Sequence, residues 1–131
     1  MKLNAVGVAS KNLATTASFY TLLGFEFDDF TEKDKHIEPK PPSGSARLMI
    51  DAWDLAREII GEEPRPGNLS TFALEYGSPQ EVDEVAERIE SSGFTVVKSP
   101  WDAVWGQRYA IVQDPDGYRV DLYAAQKNAI A

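Results

Sequence analysis

Glu75 and Asp121 each fall on the polar side of a strand-like run, and they are the first residues whose types suggest chemistry. Sharing one cavity, two carboxylates repel, one pKa rises, and the pair becomes a metal-free acid or base. Solvated or ion-paired carboxylates beside Arg47 or Arg119 are the competing reading. Trp101, Trp105 and Tyr109 cluster in the last third of the chain, and Trp53 follows the equivalent strand of the first half. Indole and phenol rings give a large contact area at low entropy cost, so such clusters line ligand pockets and dimer interfaces alike. With charge from Glu75, Asp121 and Asp51, the rings suit a cationic or aromatic organic ligand.

Other chemistries are closed by composition. The chain has no cysteine, which removes disulfides, thiolate metal sites and thiol nucleophiles. Its single histidine, His36, lies in a polar, proline-rich stretch and reads as a lone surface residue. There is no G-x-S-x-G elbow and no phosphate-binding loop. With 21 acidic against 13 basic residues and a net charge of −8, a nucleic-acid partner is not expected. The excess serves solubility, or steers a cationic ligand. Met-Lys-Leu-Asn runs straight into a strand-like segment, and no apolar run approaches the roughly 18 residues of a membrane span. The expectation is a soluble cytoplasmic protein without a membrane partner.

The elements that must position these residues come in a repeated order. Leu3 to Ala9 reads as a strand, and Leu13 to Leu23 as a helix capped by Asn12 and ended by Gly24. Phe25 to Phe30 reads as a second strand, 31–45 as a loop with an irregular edge strand near Lys35 to Glu38, and Ala46 to Ala52 as a strand. A short helix is expected over Trp53 to Glu62, and a linker over 63–68. Then Ser70 to Tyr76 is a strand, and Ser78-Pro79-Gln80-Glu81 a capping box opening a helix to Ser92. Gly93 to Val97 is a strand, and Asp114-Pro115-Asp116-Gly117 turns a hairpin between Tyr109–Val112 and Tyr118–Tyr123. Leu23-Gly24-Phe25 and Ser92-Gly93-Phe94 hold equivalent places sixty-nine residues apart, so the chain reads as two β-α-β-β-β units.

This order, with the Leu22-Leu23-Gly24-Phe25 helix end, the Trp105-Gly106-Gln107-Arg108 lead-in, the Asp114-Pro115-Asp116-Gly117 hairpin and the Asp121-Leu122 finish, resembles the vicinal oxygen chelate superfamily, the glyoxalase, bleomycin-resistance and extradiol-dioxygenase group. The resemblance covers nearly the whole chain. It implies an α+β fold in one domain of residues 1–131, with a first βαβββ unit over 1–62, the 63–68 linker and a second unit over 69–131. The two units would form a U-shaped mixed sheet around a cavity, often completed by a second chain. Strand parity fits: Val6, Val8, Leu48, Ile50, Phe72, Leu74, Val120 and Leu122 share the packed face. Their alternates Ala5, Gly7, Ala9, Arg47, Met49, Asp51, Thr71, Ala73, Glu75, Arg119, Asp121 and Tyr123 are small, polar or charged, as a cavity lining would be, or as a solvent face would be.

Enzymes of that group hold a divalent cation on four inward positions, which the resemblance carries to Ala5, Arg47 or Met49, Thr71 and Asp121. Only Asp121 could ligate, and a catalytic metal needs about three protein ligands. The sequence therefore points to a metal-free, cofactor-free small-molecule binding protein of the bleomycin-resistance type. It would be a homodimer taking a cationic or aromatic organic ligand in a groove at the dimer interface, lined by Arg47, Met49, Trp53, Glu75, Trp105, Tyr109, Asp121 and Tyr123. The alternative is a glyoxalase- or dioxygenase-type metal-dependent lyase or oxygenase with an atypical metal site. A third reading is a domain that only binds another protein. Whether the chain is an enzyme is left open at this level.

Overall fold

The computed structural model describes residues 1–126 and divides into two compact units, Met1–Pro66 and Gly67–Ala131. In the first, β1 (Ala5–Ser10) leads to α1 (Leu13–Leu23), followed by β2 (His36–Ile37), β3 (Arg47–Ala52) and α2 (Trp53–Ile60). The sheet order is β1-β3-β2, with β1 parallel to β3 from Ala5↔Arg47 to Ser10↔Ala52, and β2 antiparallel on the edge through His36↔Asp51 and Ile37↔Ile50. In the second, β4 (Phe72–Glu75) leads to α3 (Pro79–Ser91), then β5 (Thr95–Asp102), β6 (Gln107–Gln113) and β7 (Arg119–Ala125). The order there is β4-β7-β6-β5, with β4 parallel to β7 and the other neighbours antiparallel. The chain is thus α+β with two mixed sheets. Among the described residues no helix is long and apolar enough to cross a membrane.

The local signals act as their chemistry dictates. Asn12 accepts the N–H of Thr15 at 3.1 Å and opens α1. Ser78 accepts the N–H of Glu81 at the start of α3, with Pro79 in the first turn. Both units end this helix alike. Gly24 at φ 117° and Gly93 at φ 86° are left-handed, and the next residues, Phe25 and Phe94, donate back to Tyr20 and Ile89. That is a Schellman pattern, closed by a residue free of the Cβ penalty. In the 114–117 turn the buried Asp114 accepts the N–H groups of Asp116 and Tyr118, while its own N–H goes to the Tyr118 carbonyl.

The core follows the expected parity. Val8, Leu48, Ile50, Val120 and Leu122 are buried, whereas Val6, Phe72 and Leu74 are half-buried at the sheet ends. Ala110, Val112 and Ala124 join them in the second unit, where Val82, Val85, Ala86 and Ile89 line the inner side of α3 across β5, β6 and β7. Ala9 departs from the parity and is also buried.

One element is corrected. Phe25 to Phe30 forms no strand; it makes a single bridge, Glu26↔Lys40, with the Lys40 N–H donating to Glu26 at 2.8 Å. The chain opposite is Pro39-Lys40-Pro41-Pro42, where only Lys40 has a donor to give. A ladder cannot extend past it, and Phe27 packs edge-on against Phe30 instead. In the other direction, β5 outruns its expected end at Val97 and reaches Asp102, bending through register shifts at Val96/Lys98 and Lys98/Trp101.

Candidate functional site

The second sheet has one face under α3, and the alternate residues form an open face. Across it the register sets Tyr109 opposite Tyr123 and Ile111 opposite Asp121 on β6 and β7, Trp101 opposite Tyr109 on β5 and β6, and Glu75 opposite Tyr123 on β4 and β7. Tyr109 and Tyr123 stack with centroids 5.9 Å apart and planes 19° from parallel. Trp101 and Trp105 meet Tyr109 edge-on at 5.4 and 5.3 Å, and each other at 6.2 Å. Trp105, in the turn after β5, is 57% exposed. The Lys98 ammonium lies 4.1 Å above the Trp101 ring, a cation–π contact within the protein itself.

Asp121 sits at the margin of these rings. Tyr109 donates its hydroxyl to one carboxylate oxygen at 2.5 Å, and Ser70 donates to the other. Burial first, then the bond to the Asp121 carboxylate, pushes the Tyr109 phenol up to about 12, so it stays protonated as a donor at neutral pH. Asp121 is therefore positioned by two hydroxyl donors, and its hydrogen-bond partners are Tyr109 and Ser70. The Glu75 side is exposed, one register step along on β4. A carboxylate oriented by two hydroxyls beside four aromatic rings can receive a cation or a flat ring. As a base it would first have to give up one of those bonds.

The open face of the first sheet is built differently. His36 Nδ1 lies 2.6 Å from Asp51 and its Nε2 lies 2.7 Å from Glu38. The Arg47 guanidinium donates to both oxygens of Glu38 at 2.8 and 2.9 Å and to the Asn4 side chain at 2.8 Å. Bonding to Arg47, then to His36, lowers the Glu38 carboxyl to about 2. The same bonds, Asp51 foremost, raise His36 above its ordinary 6.5, against a smaller opposing effect of burial. His36 is thus not a lone surface residue. The signal was its place two residues from Glu38 beside an edge strand, where alternation turns both side chains the same way.

Trp53 stands elsewhere in the first unit, in a cleft of about 580 Å³ lined by Lys11, Phe30, Lys35, Asp54 and Arg57, among others. Lys11 covers its ring at 4.7 Å, and its indole N–H donates to Glu63. Arg47 and Met49 stay on the face of β3. Of the eight expected site residues, the structure groups Trp105, Tyr109, Asp121 and Tyr123, with Glu75 at their edge; sequence reasoning missed Ser70 and Lys98, which complete that group.

The donor set does not suit the divalent cation that the resemblance implies. Ala5 has no lone pair, Arg47 brings a positive charge already bound to Glu38, and both Asp121 oxygens accept hydroxyl bonds. Among the described residues no three His, Cys, Asp or Glu side chains are gathered as metal ligands would be.

Comparison with known proteins places this geometry. No curated protein matches the sequence. Among solved structures, a hypothetical protein from S. aureus superposes with a TM-score of 0.79 at 19% identity, covering 95% of each chain. A glyoxalase-related enzyme from Fulvimarina pelagi gives 0.80 at 19% identity over 95% of this chain and 88% of its own. A lactoylglutathione lyase from Agrobacterium tumefaciens gives 0.67 at 19% identity, over 94% and 92%. At such identities the likeness establishes the fold alone. The model of the glyoxalase/bleomycin resistance protein/dioxygenase superfamily matches residues 2–122, and the chain belongs to that superfamily.

Proposed function

We propose that the protein binds a small cationic aromatic molecule without a metal, in the manner of the bleomycin-resistance branch of its superfamily. The observation that carries this reading is the wall of Trp101, Trp105, Tyr109 and Tyr123 around the doubly hydrogen-bonded Asp121 carboxylate. The Lys98 ammonium 4.1 Å over Trp101, a cation–π contact within the chain, supports a cationic ligand for the neighbouring rings. A flat ring would stack on the exposed Trp105 and its neighbours, and its positive charge would lie toward Asp121. The net charge of −8 would raise the local concentration of such a ligand at low salt. A second copy of the chain would complete the groove over the exposed Val104 and Trp105, and sedimentation would read the resulting dimer.

The test is tryptophan fluorescence titrated with N-methylquinolinium and, separately, with quinoline-2-carboxylate. The cation should quench saturably and the anion should not. Asp121→Asn should weaken the cation about tenfold, equivalent to ~1.4 kcal/mol, and Trp105→Ala should weaken it by a comparable factor. Equal affinity for both probes, or an affinity untouched by Asp121→Asn, would sink the proposal.

A further inference from the structure

The chain of groups from Asp51 through His36 and Glu38 to Arg47 is continuous: both imidazole nitrogens and both Glu38 oxygens are engaged within it, and Arg47 also bonds Asn4. What it holds is an edge strand with little else to hold it. The connection from Gly24 to Ala46 enters the sheet through the two pairs of β2, while the bridge Glu26↔Lys40 joins two parts of the connection to each other. Just before β2, the segment Phe30 to Lys35 forms one wall of the 580 Å³ cleft whose other side carries Trp53. That wall is fastened where Lys35 meets α2 and β3, through its ammonium to Asp54 at 2.8 Å and its carbonyl to the Ala52 N–H at 2.7 Å.

We propose that doubly protonated His36 is a clasp that locks β2, and with it the Phe30–Lys35 wall of the cleft, onto β3, and that the cleft loosens when the imidazole loses a proton.

The geometry requires the charge. Each ring nitrogen faces an acceptor-only carboxylate at under 2.8 Å, and only the imidazolium has an N–H for both. A neutral ring satisfies one carboxylate and turns a lone pair on the other. The groups facing His36 are few. Lys35 and Glu38 come from its own segment, Asp51 and Arg47 from β3, and Asp54 of α2 stands beyond Lys35. Arg47 lies on the far side of Glu38, which screens it, so the two carboxylates dominate, and the folded pKa stands above 6.5 as their bonds require. Because that value is raised, the contribution is complete below the unfolded value and is lost as pH rises through the folded one. Local opening of a weakly laddered edge then needs no global unfolding.

The chain has one histidine, so a single imidazole signal in a ¹H–¹³C NMR titration reports the clasp without assignment. The pKa should lie above that of a free histidine peptide. Hydrogen exchange corrected for its intrinsic pH dependence should then show protection across residues 30–40 falling severalfold as pH crosses that pKa, while α3 is unchanged. His36→Gln should show the low protection on both sides of it, and Asp51→Asn should lower the imidazole pKa. An imidazole that titrates at or below the free value would overturn the clasp. So would protection across residues 30–40 that follows α3, or that is the same in His36→Gln as in the parent at low pH.

Discussion

The two units run the same order of elements and leave opposite kinds of open face. In the first, the half-buried face of β3 is consumed by ions: Asp51, His36, Glu38 and Arg47 neutralise one another in a line. In the second, the corresponding face of β6 and β7 is aromatic, with one carboxylate held between a phenol and a serine. The sheets differ in the same sense. β7 is laddered along its length by β6 and from Val120 to Tyr123 by β4, whereas β3 has a full partner in β1 and only the two residues of β2 on its other edge. A repeated scaffold thus supplies one rigid platform for recognition and one looser sheet closed by charge.

The largest test of that contrast lies in the core. Ile50 and Leu122 are both fully buried at central positions, on β3 and β7. Leu122→Ala should cost about 4 kcal/mol, because ladders on both sides and α3 above prevent the site from collapsing; Ile50→Ala should cost nearer ~2.5, since a short edge strand can follow the lost volume. Urea melts of the two variants read the difference. Equal losses would break the claim that the first sheet is the more compliant.

Why some of this was readable in the sequence, and some not, follows from the range of each interaction. Asn12, Gly24, Ser78, Gly93 and Asp114-Pro115-Asp116-Gly117 act on backbone groups within five residues, so their residue types alone foretell caps and turns. Alternation along β3 and β7 likewise announced the buried faces. The failures needed a partner strand. Phe25 to Phe30 has strand-like composition, and what it lacks is a donor-bearing neighbour, which only the pairing with Pro39 to Pro42 reveals. His36 looked solitary because Asp51 is fifteen residues away and comes beside it only through the β2–β3 register. Asp121 is legible as a polar position on the alternating strand, and the structure sets it beside Tyr109. Its true partners, Ser70 and Tyr109, are 51 and 12 residues distant, and no local pattern prefers them to Glu75.

A second contrast concerns how each unit turns into its last strand. The Asp114 carboxylate is buried and caps two backbone N–H groups, and removing it leaves them without an acceptor. Asp114→Ala should therefore cost about 2 kcal/mol. The first unit enters β3 through an exposed turn closed by the Ser45 N–H to Pro42, where the Ser45 hydroxyl bonds only the next carbonyl, that of Ala46. Ser45→Ala should change stability by less than about 0.5 kcal/mol. Thermal melts that ranked the two alike would mean the hairpin does not anchor the second sheet.

The smallest test is the one where the units should not differ. Gly24 and Gly93 close their helices with the same pair of hydrogen bonds at left-handed φ, and a Cβ built on either meets nothing within 4 Å. Substitution therefore adds no clash and acts through the backbone alone, so Gly24→Ala and Gly93→Ala should each cost about 1 kcal/mol. The helices themselves are unlike: α1 buries Phe19 and Tyr20, while α3 buries only aliphatic residues. Matching losses would show the cap energy to be set by φ and independent of what the helix packs against. A markedly larger loss at Gly24 would show that its cap also positions Phe25, which is buried against Tyr20 at 6.0 Å, whereas Phe94 is only half-buried.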